Sequence, residues 1–458
     1  MNQLTDIITQ NIDSDSTFKE LSTELDNAVS FKQIISAAFK YALFLAVMVV
    51  EETLNERAKP MEDKGACPKC GATPESKGFS PRQIISLIGN ICWFRRIFRC
   101  PKGCKIGVIV PFDEKLRIKP NQKVSDEIKL ITCLLAVFVP YQIASMLMKT
   151  LTGILVSPAS IWNYVLIFGN KAMSKPELEL KALSEGELPN MAQIDNKVKK
   201  LIMAIGGDGV MVPFRPDGGS PEGKAVWRVV KIGIFARLEN KITKNGKKVK
   251  VIIRKRVVAV LGTIDEFATR MKLMAVKERF YEAETVVRLS DGGKGFRRLF
   301  REISADKAHG VLDFYHAVQN VWKGAEAWLD GRTGRIREWF DLARHKIREG
   351  KAVEIIKKLK ESEENKLWSE LSDDSRKVLK NLIIYLETHK EHMAYDKFKA
   401  LGLPIGSGMV ESTCKQLIQQ RFKGVGMRWS EEGFCRLLHL RIAWVNEAFD
   451  VLFSSSPN

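Results

Sequence analysis

Ile202–Pro213, IMAIGGDGVMVP, is the stretch whose reading decides the fold. Ile202, Met203, Ala204 and Ile205 form one apolar run and Val210, Met211 and Val212 another, with Asp208 between them. Short apolar runs of this kind predict a buried strand. Such a strand normally carries no carboxylate, because a buried unpaired charge is costly. Taken alone, Asp208-Gly209 also fits a turn.

Working outward, a second strand, Thr285–Leu289, runs into Ser290-Asp291-Gly292-Gly293, and a third acid, Glu411, opens the helical pattern GSGMVESTCKQLIQQR. The elements between are predicted as strands over Lys200–Val212, Val226–Leu238 and Val249–Leu261, a helix over Ile264–Ala283, the Thr285–Leu289 strand, a helix over Lys294–Ile303 and a strand over Gly310–Phe314. That β-β-β-α-β-α-β order is the order of the ribonuclease H fold, a three-strand meander followed by helical crossovers. It puts Asp208 on the first strand, Asp291 at the end of the fourth and Glu411 on a later helix. Ala317–Lys399, helical in pattern and carrying Trp322, Trp328, Trp339 and Trp368, reads as an all-helical insertion before the turn signal Gly402–Gly408.

Widely spaced acids of this kind suit phosphoryl transfer. In-line phosphodiester cleavage needs both the attacking and the leaving oxygen held by cations, and two metal ions about 4 Å apart do this. Mg²⁺ takes oxygen ligands and keeps several waters, so three carboxylates suffice. Asp208, Asp291 and Glu411 are therefore the expected catalytic ligands of two Mg²⁺, for which Mn²⁺ can substitute. Glu387, Glu391 and Glu431 are nearby alternatives for the third acid, in charged helical stretches of the sort that face solvent. His316, in Asp313-Phe-Tyr-His316, is a further catalytic candidate: it could orient a water, contact the scissile phosphate or simply fix a helix start. Lys415, Gln419, Arg421 and Lys423 are expected to track phosphates, and Arg428-Trp429 to stack on a distorted base.

Composition points to the same partner. The chain's 458 residues carry 73 Lys and Arg against 54 Asp and Glu, a net charge of +19, which suits a polyanion. Eight cysteines in so long a chain are not a secreted disulfide scaffold. Four of them form Cys67-Pro-Lys-Cys70 and Cys100-Pro-Lys-Gly-Cys104, a zinc-ribbon pattern whose four thiolates would close a structural Zn²⁺ site with no open position. Val124–Phe138, the segment after Pro140 and Ser157–Phe168 read as three helices with a Gly153 turn, a helix-turn-helix whose recognition helix would expose Ser160, Asn163 and Tyr164. At the N-terminus, Phe31–Glu56 is too densely apolar for a one-sided helix and is expected to pack against another segment of the chain or a second subunit of a homo-oligomer. Its greasiest run, Tyr41–Val50, is too short to span a bilayer, and no signal-peptide pattern precedes it. The expectation is a cytoplasmic protein with no membrane partner.

The stretches GGDGVMV, WRVVKIGIF, RLSDGGKG, HGVLDFYHAVQNVW and GLPIGSGMVESTCKQLIQQRFKGVGMRWSEEG together resemble the DDE transposases of bacterial insertion sequences, specifically the ISKra type, distantly mutator-like. The resemblance covers Ala192–Asn446, and the ribbon and helix-turn-helix more loosely. It implies a DDE triad at Asp208, Asp291 and Glu411, an all-helical insertion before the Glu and an Asp-x-x-His element at Asp313 and His316. It also implies recognition of terminal inverted repeats and target DNA by a multimer at the nucleoid. The expected fold is thus α/β and multidomain. Its parts are a helical segment (1–60), a zinc ribbon (61–112), a helix-turn-helix domain (113–175), a ribonuclease H-like catalytic domain (176–316), an all-helical insertion (317–400) and the catalytic domain's C-terminal part (401–458). A nuclease or resolvase without strand transfer, and a DNA-binding protein with vestigial catalysis, are the alternative readings.

Overall fold

The structure, a computed structural model, describes residues 16–60, 65–216, 223–246, 248–304, 308–329, 334–363 and 366–453. The first fifteen residues of the expected N-terminal segment, part of the Pro213–Lys224 loop, Lys247 and short pieces of the helical insertion lie outside them. The chain divides into two compact units, Met1–Tyr164 with Phe453–Asn458 and Val165–Leu452, so the helix that starts at Pro158 belongs from Val165 onward to the second.

In the first unit, α1 (Ser16–Asp26) precedes α2 (Phe31–Ala58), which begins at a capping box formed by Ser30 and Gln33. β1 (Glu75–Ser86) and β2 (Gly89–Arg99) pair antiparallel. The C-terminal half of α2 covers this ribbon: Val50, Leu54 and Ala58 pack with Ile84, Ile91 and Trp93. Glu51 and Asn55 accept hydrogen bonds from the backbone N–H groups of Cys92 (2.6 Å) and Phe94 (2.8 Å). Four helical residues rise about 6 Å and two strand residues about 6.6 Å, so an i,i+4 pair can cap an i,i+2 edge. The N-terminal half of α2 leaves Phe31, Ile35 and Phe39 exposed. The helix extends well beyond Tyr41–Val50, over 28 residues, and by length and composition is able to cross a membrane.

Short α3 (Pro111–Lys115) leads to α4 (Asp126–Phe138), α5 (Tyr141–Thr152) and α6 (Pro158–Ser184). Gly153 ends α5 in the left-handed region at φ 74°, and the Ser157 hydroxyl caps α6 by accepting from Ser160 N–H. α6 does not stop near Phe168 as expected. It runs on through Gly169 and Pro176 as far as Ser184, into the stretch expected to open the catalytic domain. Tertiary contacts outweigh the proline's helix-breaking tendency. Ion pairs of Glu177 with Arg270 and of Glu179 with Lys277 anchor the last turns, and a Cβ on Gly169 would meet Arg436 Cβ at 2.6 Å.

In the second unit, short α7 (Asn196–Lys199) leads to β3 (Ile202–Phe214), β4 (Val226–Ile242), β5 (Lys248–Val260), α8 (Ile264–Lys277), β6 (Val286–Ser290), α9 (Lys294–Ser304) and β7 (Ala308–Leu312). The sheet order is β5-β4-β3-β6-β7. β3, β4 and β5 form an antiparallel meander, while β6 and β7 run parallel to β3. α8 ends earlier than expected, because Arg279 takes φ 52° and a 3₁₀ turn, Phe280–Glu282, follows. On the outer edge of β5, the Asn446 side-chain amide accepts from Val257 N–H (2.8 Å) and donates to Val257 C=O (2.9 Å).

Strand alternation sorts the core into two layers. Met203 and Ile205 face α8 and α9, packing with Phe267, Met271, Leu299 and Phe300. Ala204, Val287 and Leu289 face the helices that follow β7: α10 (Phe314–Trp328), α11 (Arg335–Arg348), α12 (Ala352–Glu363), α13 (Lys366–Ser369), α14 (Asp373–His389) and α15 (Tyr395–Ala400). The chain then returns through α16 (Gly408–Cys414), a π-helical turn (Lys415–Gln419), a last helical turn (Gln420–Phe422) and α17 (Glu431–Val445). The Glu411 helix is therefore not one regular helix to Phe422. The π turn strands carbonyls, and Arg441 of α17, fully buried, donates to Leu417 C=O (2.8 Å) and Gln416 C=O.

Gly207 marks how tightly the α8–α9 layer sits on the sheet. A Cβ there would meet Ile232 C=O at 2.5 Å and Phe300 Cζ at 2.9 Å, so main chain has to move. Gly207→Ala is expected to destabilise by about 1–3 kcal/mol, the usual cost of overpacking, read as a lowered denaturant midpoint at unchanged slope. An unchanged midpoint would contradict the packing.

Candidate functional site

Two parallel pairings set the geometry. Gly206 is in register with Leu289 on β3 and β6, and Ser290 with Leu312 on β6 and β7. Asp208 and Asp291 each lie two residues past the first pair and so level with one another, Asp208 within β3 and Asp291 just past the end of β6. Asp313 lies one past the second pair, and its N–H donates to Ser290 C=O at 2.8 Å. By alternation Asp208 shares the face of Ala204 and Gly206. α16 comes down on that face: a Cβ on Gly206 would meet Val410 Cγ2 at 2.8 Å. Glu411 is the next residue.

Asp313 ties these elements together. It is buried, and its Oδ1 accepts the backbone N–H of His316 (2.8 Å), capping α10. Its Oδ2 accepts both the backbone N–H (2.6 Å) and the hydroxyl of Ser407, the residue preceding α16. One carboxylate thus holds the starts of the helices that carry His316 and Glu411. Of the three readings open for His316, its own backbone N–H serves the helix start. Its side chain exerts a positive influence on Asp208.

The cluster is electrostatically coupled. Burial pushes the Asp208 carboxyl above its ordinary value, and the charges of Asp291 and Glu411 push the same way. The Gly209 N–H, 2.6 Å from Asp208 Oδ1, and His316 oppose the rise. Asp291 Oδ1 accepts from Gly293 N–H at 2.8 Å, in a turn where Gly292 sits at φ 99°. Tyr385 of α14 donates to Asp291 C=O at 3.3 Å, so the helical segment reaches the loop that carries the second acid. Burial first, then Asp291 and Asp313, holds the Tyr385 hydroxyl protonated, while a hydrogen bond with Asn320 opposes them. No pattern in the sequence marks Tyr385 or the Asp313–Ser407 link.

Glu411 is largely exposed and pairs with Lys415 Nζ at 2.7 Å. Three carboxylates offer the hard oxygen donors that Mg²⁺ takes, but they stand wider apart than the cysteines of the first unit. Among the described residues, Cys67, Cys70, Cys100 and Cys104 form the one group of three or more acidic, His or Cys side chains whose ligand atoms all lie within 4.8 Å. Cys70 and Cys100 sulfurs are 3.5 Å apart. A tetrahedral Zn²⁺ with Zn–S near 2.3 Å holds sulfurs about 3.8 Å apart, so the cluster can hold a metal such as zinc. Gly71 and Gly103, at φ 68° and 65°, make the two turns that present the thiols. Although burial opposes it, hydrogen bonds from the Cys104 N–H and the Cys70 thiol pull Cys100 down to about 7. Those with Cys70 and Cys100, then burial, push Cys104 up to about 12.

The expected DNA-facing residues divide. Asn163 is exposed, Ser160 half-buried, and Tyr164 half-buried, with burial and then Cys133 raising its hydroxyl. Lys423 and Arg428 are exposed, Arg428 donating to Gly223 C=O. Lys415 is engaged with Glu411. Arg421, 2% exposed, is interior and lies over the Trp429 ring at 5.2 Å, which removes it from the surface. Trp429 is a packing residue as well: its indole N–H donates to Phe422 C=O (3.0 Å), its ring stacks among Phe422 and Phe434, and its backbone pairs with the end of β3 at Phe214.

No family model matches the chain, and no curated protein matches it. Among solved structures it is similar to the Drosophila P element transposase strand transfer complex, at 14% identity over 74% of this chain and 82% of that one, with a TM-score of 0.24. A superposition that loose transfers neither fold nor activity.

Cys67→Ser is expected to lower bound zinc from one ion per chain towards none by elemental analysis; unchanged zinc would remove the ribbon cysteines as its ligands. Asp208 supplies a pH test. Its folded-state pKa is raised, so the folded protein binds that proton more tightly than the unfolded chain, and its contribution to stability is lost as pH rises from 3.8 through the folded value. Asp208→Asn is expected to raise the metal-free melting temperature at pH 7, by an amount that shrinks below pH 3.8. An equal or lower melting temperature at pH 7 would overturn this account.

Proposed function

We propose that the chain is a DNA transposase that cleaves and joins strands at a ribonuclease H-like, metal-dependent site formed by Asp208, Asp291 and Glu411. The observation that carries the reading is the parallel β3–β6 register, which sets two aspartates level, with the Glu411 helix seated beside them over Gly206. The sequence motifs, the basic composition and the cysteine cluster support it. In this reading residues 176–316 and 401–458 form the catalytic domain, 317–400 is its helical insertion, and 61–112 and 113–175 bind the element's ends. Copies of the chain bring the ends together.

The three carboxylates would hold two Mg²⁺, which when bound supply Lewis-acid stabilisation of the attacking and leaving oxygens. The protein's own residues prepare that site. Asp208 is strained as an anion by burial and by its acidic neighbours, so it favours an incoming cation. Lys415 neutralises Glu411 and exchanges that carboxylate for a phosphate when substrate arrives. Asp313 fixes the separation of α10 and α16, and Tyr385 steadies the Asp291 loop. Exposed Lys423 and Arg428 meet the phosphate backbone, and Asn163 with Ser160 meets base edges of the repeat.

The test is a strand-transfer assay with purified protein, Mg²⁺ or Mn²⁺, labelled DNA carrying the ends that flank its gene, and a target plasmid. Joined product is expected from the wild type. Asp208→Ala, Asp291→Ala and Glu411→Gln are each expected to lose more than about 100-fold, beyond the 10–100-fold cost of an outer-shell partner, with end binding retained. Nicking without joining would replace transposition by a nuclease activity; end binding with no cleavage in either metal would leave a DNA-binding protein.

A further inference from the structure

Met211 and Val229 are partners in the β3–β4 register, as are Pro213 and Trp227. Alternation puts these four on one face, beyond the reach of the α8–α9 layer. Met211 and Val229 are each 42% exposed, and Trp227 is 52% exposed, the most of any tryptophan among the described residues. A tryptophan normally buries 150–250 Å², so leaving one on a rigid strand wastes a large hydrophobic gain unless something covers it. The surroundings say what. Lys423 Nζ stands 5.8 Å from the ring centroid, and Arg215, Lys224 and Arg428 are exposed close by, the last tethered to Gly223 C=O. A flat aromatic face with a cation beside it and further basic side chains on the adjoining segments suits an anionic ligand with π faces of its own.

We propose that Trp227 is a stacking platform for an unpaired nucleobase of the bound DNA strand, with Lys423 and its basic neighbours holding the flanking phosphates. This rests on the DNA reading given above and assigns the aromatic role expected of Trp429 to a different strand. Base–aromatic stacking tolerates any sequence, because every base has a π face. Pro213, the partner of Trp227, is five residues from Asp208 on β3, about 17 Å at the strand's rise per residue. By alternation Trp227 and Asp208 face opposite sides of the sheet, so the bound strand would turn over the β3–β4 end between the platform and the carboxylates.

The experiment uses the full chain with two probes, an oligo(dT) strand bearing a single 2-aminopurine and a blunt duplex. Affinity is read by fluorescence anisotropy and stacking by quenching of the 2-aminopurine. Wild-type protein is expected to bind both and to quench the fluorophore. Trp227→Ala is expected to lose the quenching and about 5- to 150-fold in single-strand affinity, while keeping duplex affinity and its melting temperature; Trp227→Phe is expected to restore most of both. Wild-type quenching left intact in Trp227→Ala would overturn the platform and leave the DNA reading standing. A wild type that binds neither probe would overturn both. A Trp227→Ala protein that changes its sedimentation but not its DNA binding would make this face a protein interface and overturn the platform.

Discussion

Val410 can rest against β3 because Gly206 has no side chain. That single close approach decides whether the carboxyl end of the sheet is a collection of separate acids or one cluster. A Cβ at Gly206 would push α16 outward, and Glu411 would leave the neighbourhood of Asp208. The same approach makes the rest necessary. A helix seated on a strand needs its start held, and Asp313 does that by bonding Ser407 with one oxygen while capping α10 with the other. Beyond Glu411 the helix widens into a π turn, whose stranded carbonyls need donors from elsewhere. Arg441 supplies them from the protein interior, where burial first, and then Arg421, pull its guanidinium down to about 10.

The electrostatics follow from this crowding. Burial opposes the ionisation of Asp208, Asp291 sits half-buried beside it, and Glu411 stays in solvent beside a lysine. The first unit solves a similar problem with softer groups: four thiols drawn together by two glycine turns share their protons unequally, Cys100 low and Cys104 high. In both places the chain gathers groups that repel one another when ionised, and a bound cation relieves that repulsion.

Much of this was legible from residue order. The apolar runs of Ile202–Val212 and those after it mark the strands, with Asp208 inside the first and Asp291 in the turn that follows β6, because apolar runs and turn chemistry are local properties. The cysteine spacing is equally local. What escaped was set by distant partners. Nothing near Gly169 or Pro176 says that α6 continues, since Arg270, Lys277 and Arg436 hold it. Arg421 and Trp429 read as surface residues because a basic residue beside an aromatic resembles a nucleic-acid contact; their burial depends on Phe422 and Phe434 closing around them. Trp227 drew no attention because a tryptophan opening a strand reads as core. Only the register with Pro213 reveals which side it faces.

Asn446 has a further consequence at the other side of the sheet. Its amide offers Val257 the same donor and acceptor that a neighbouring strand would, and so occupies one residue's pairing groups on the outer edge of β5. A sheet left open there could extend from molecule to molecule. With that side chain in place the Val257 groups are already satisfied, which blunts the edge as a template for pairing.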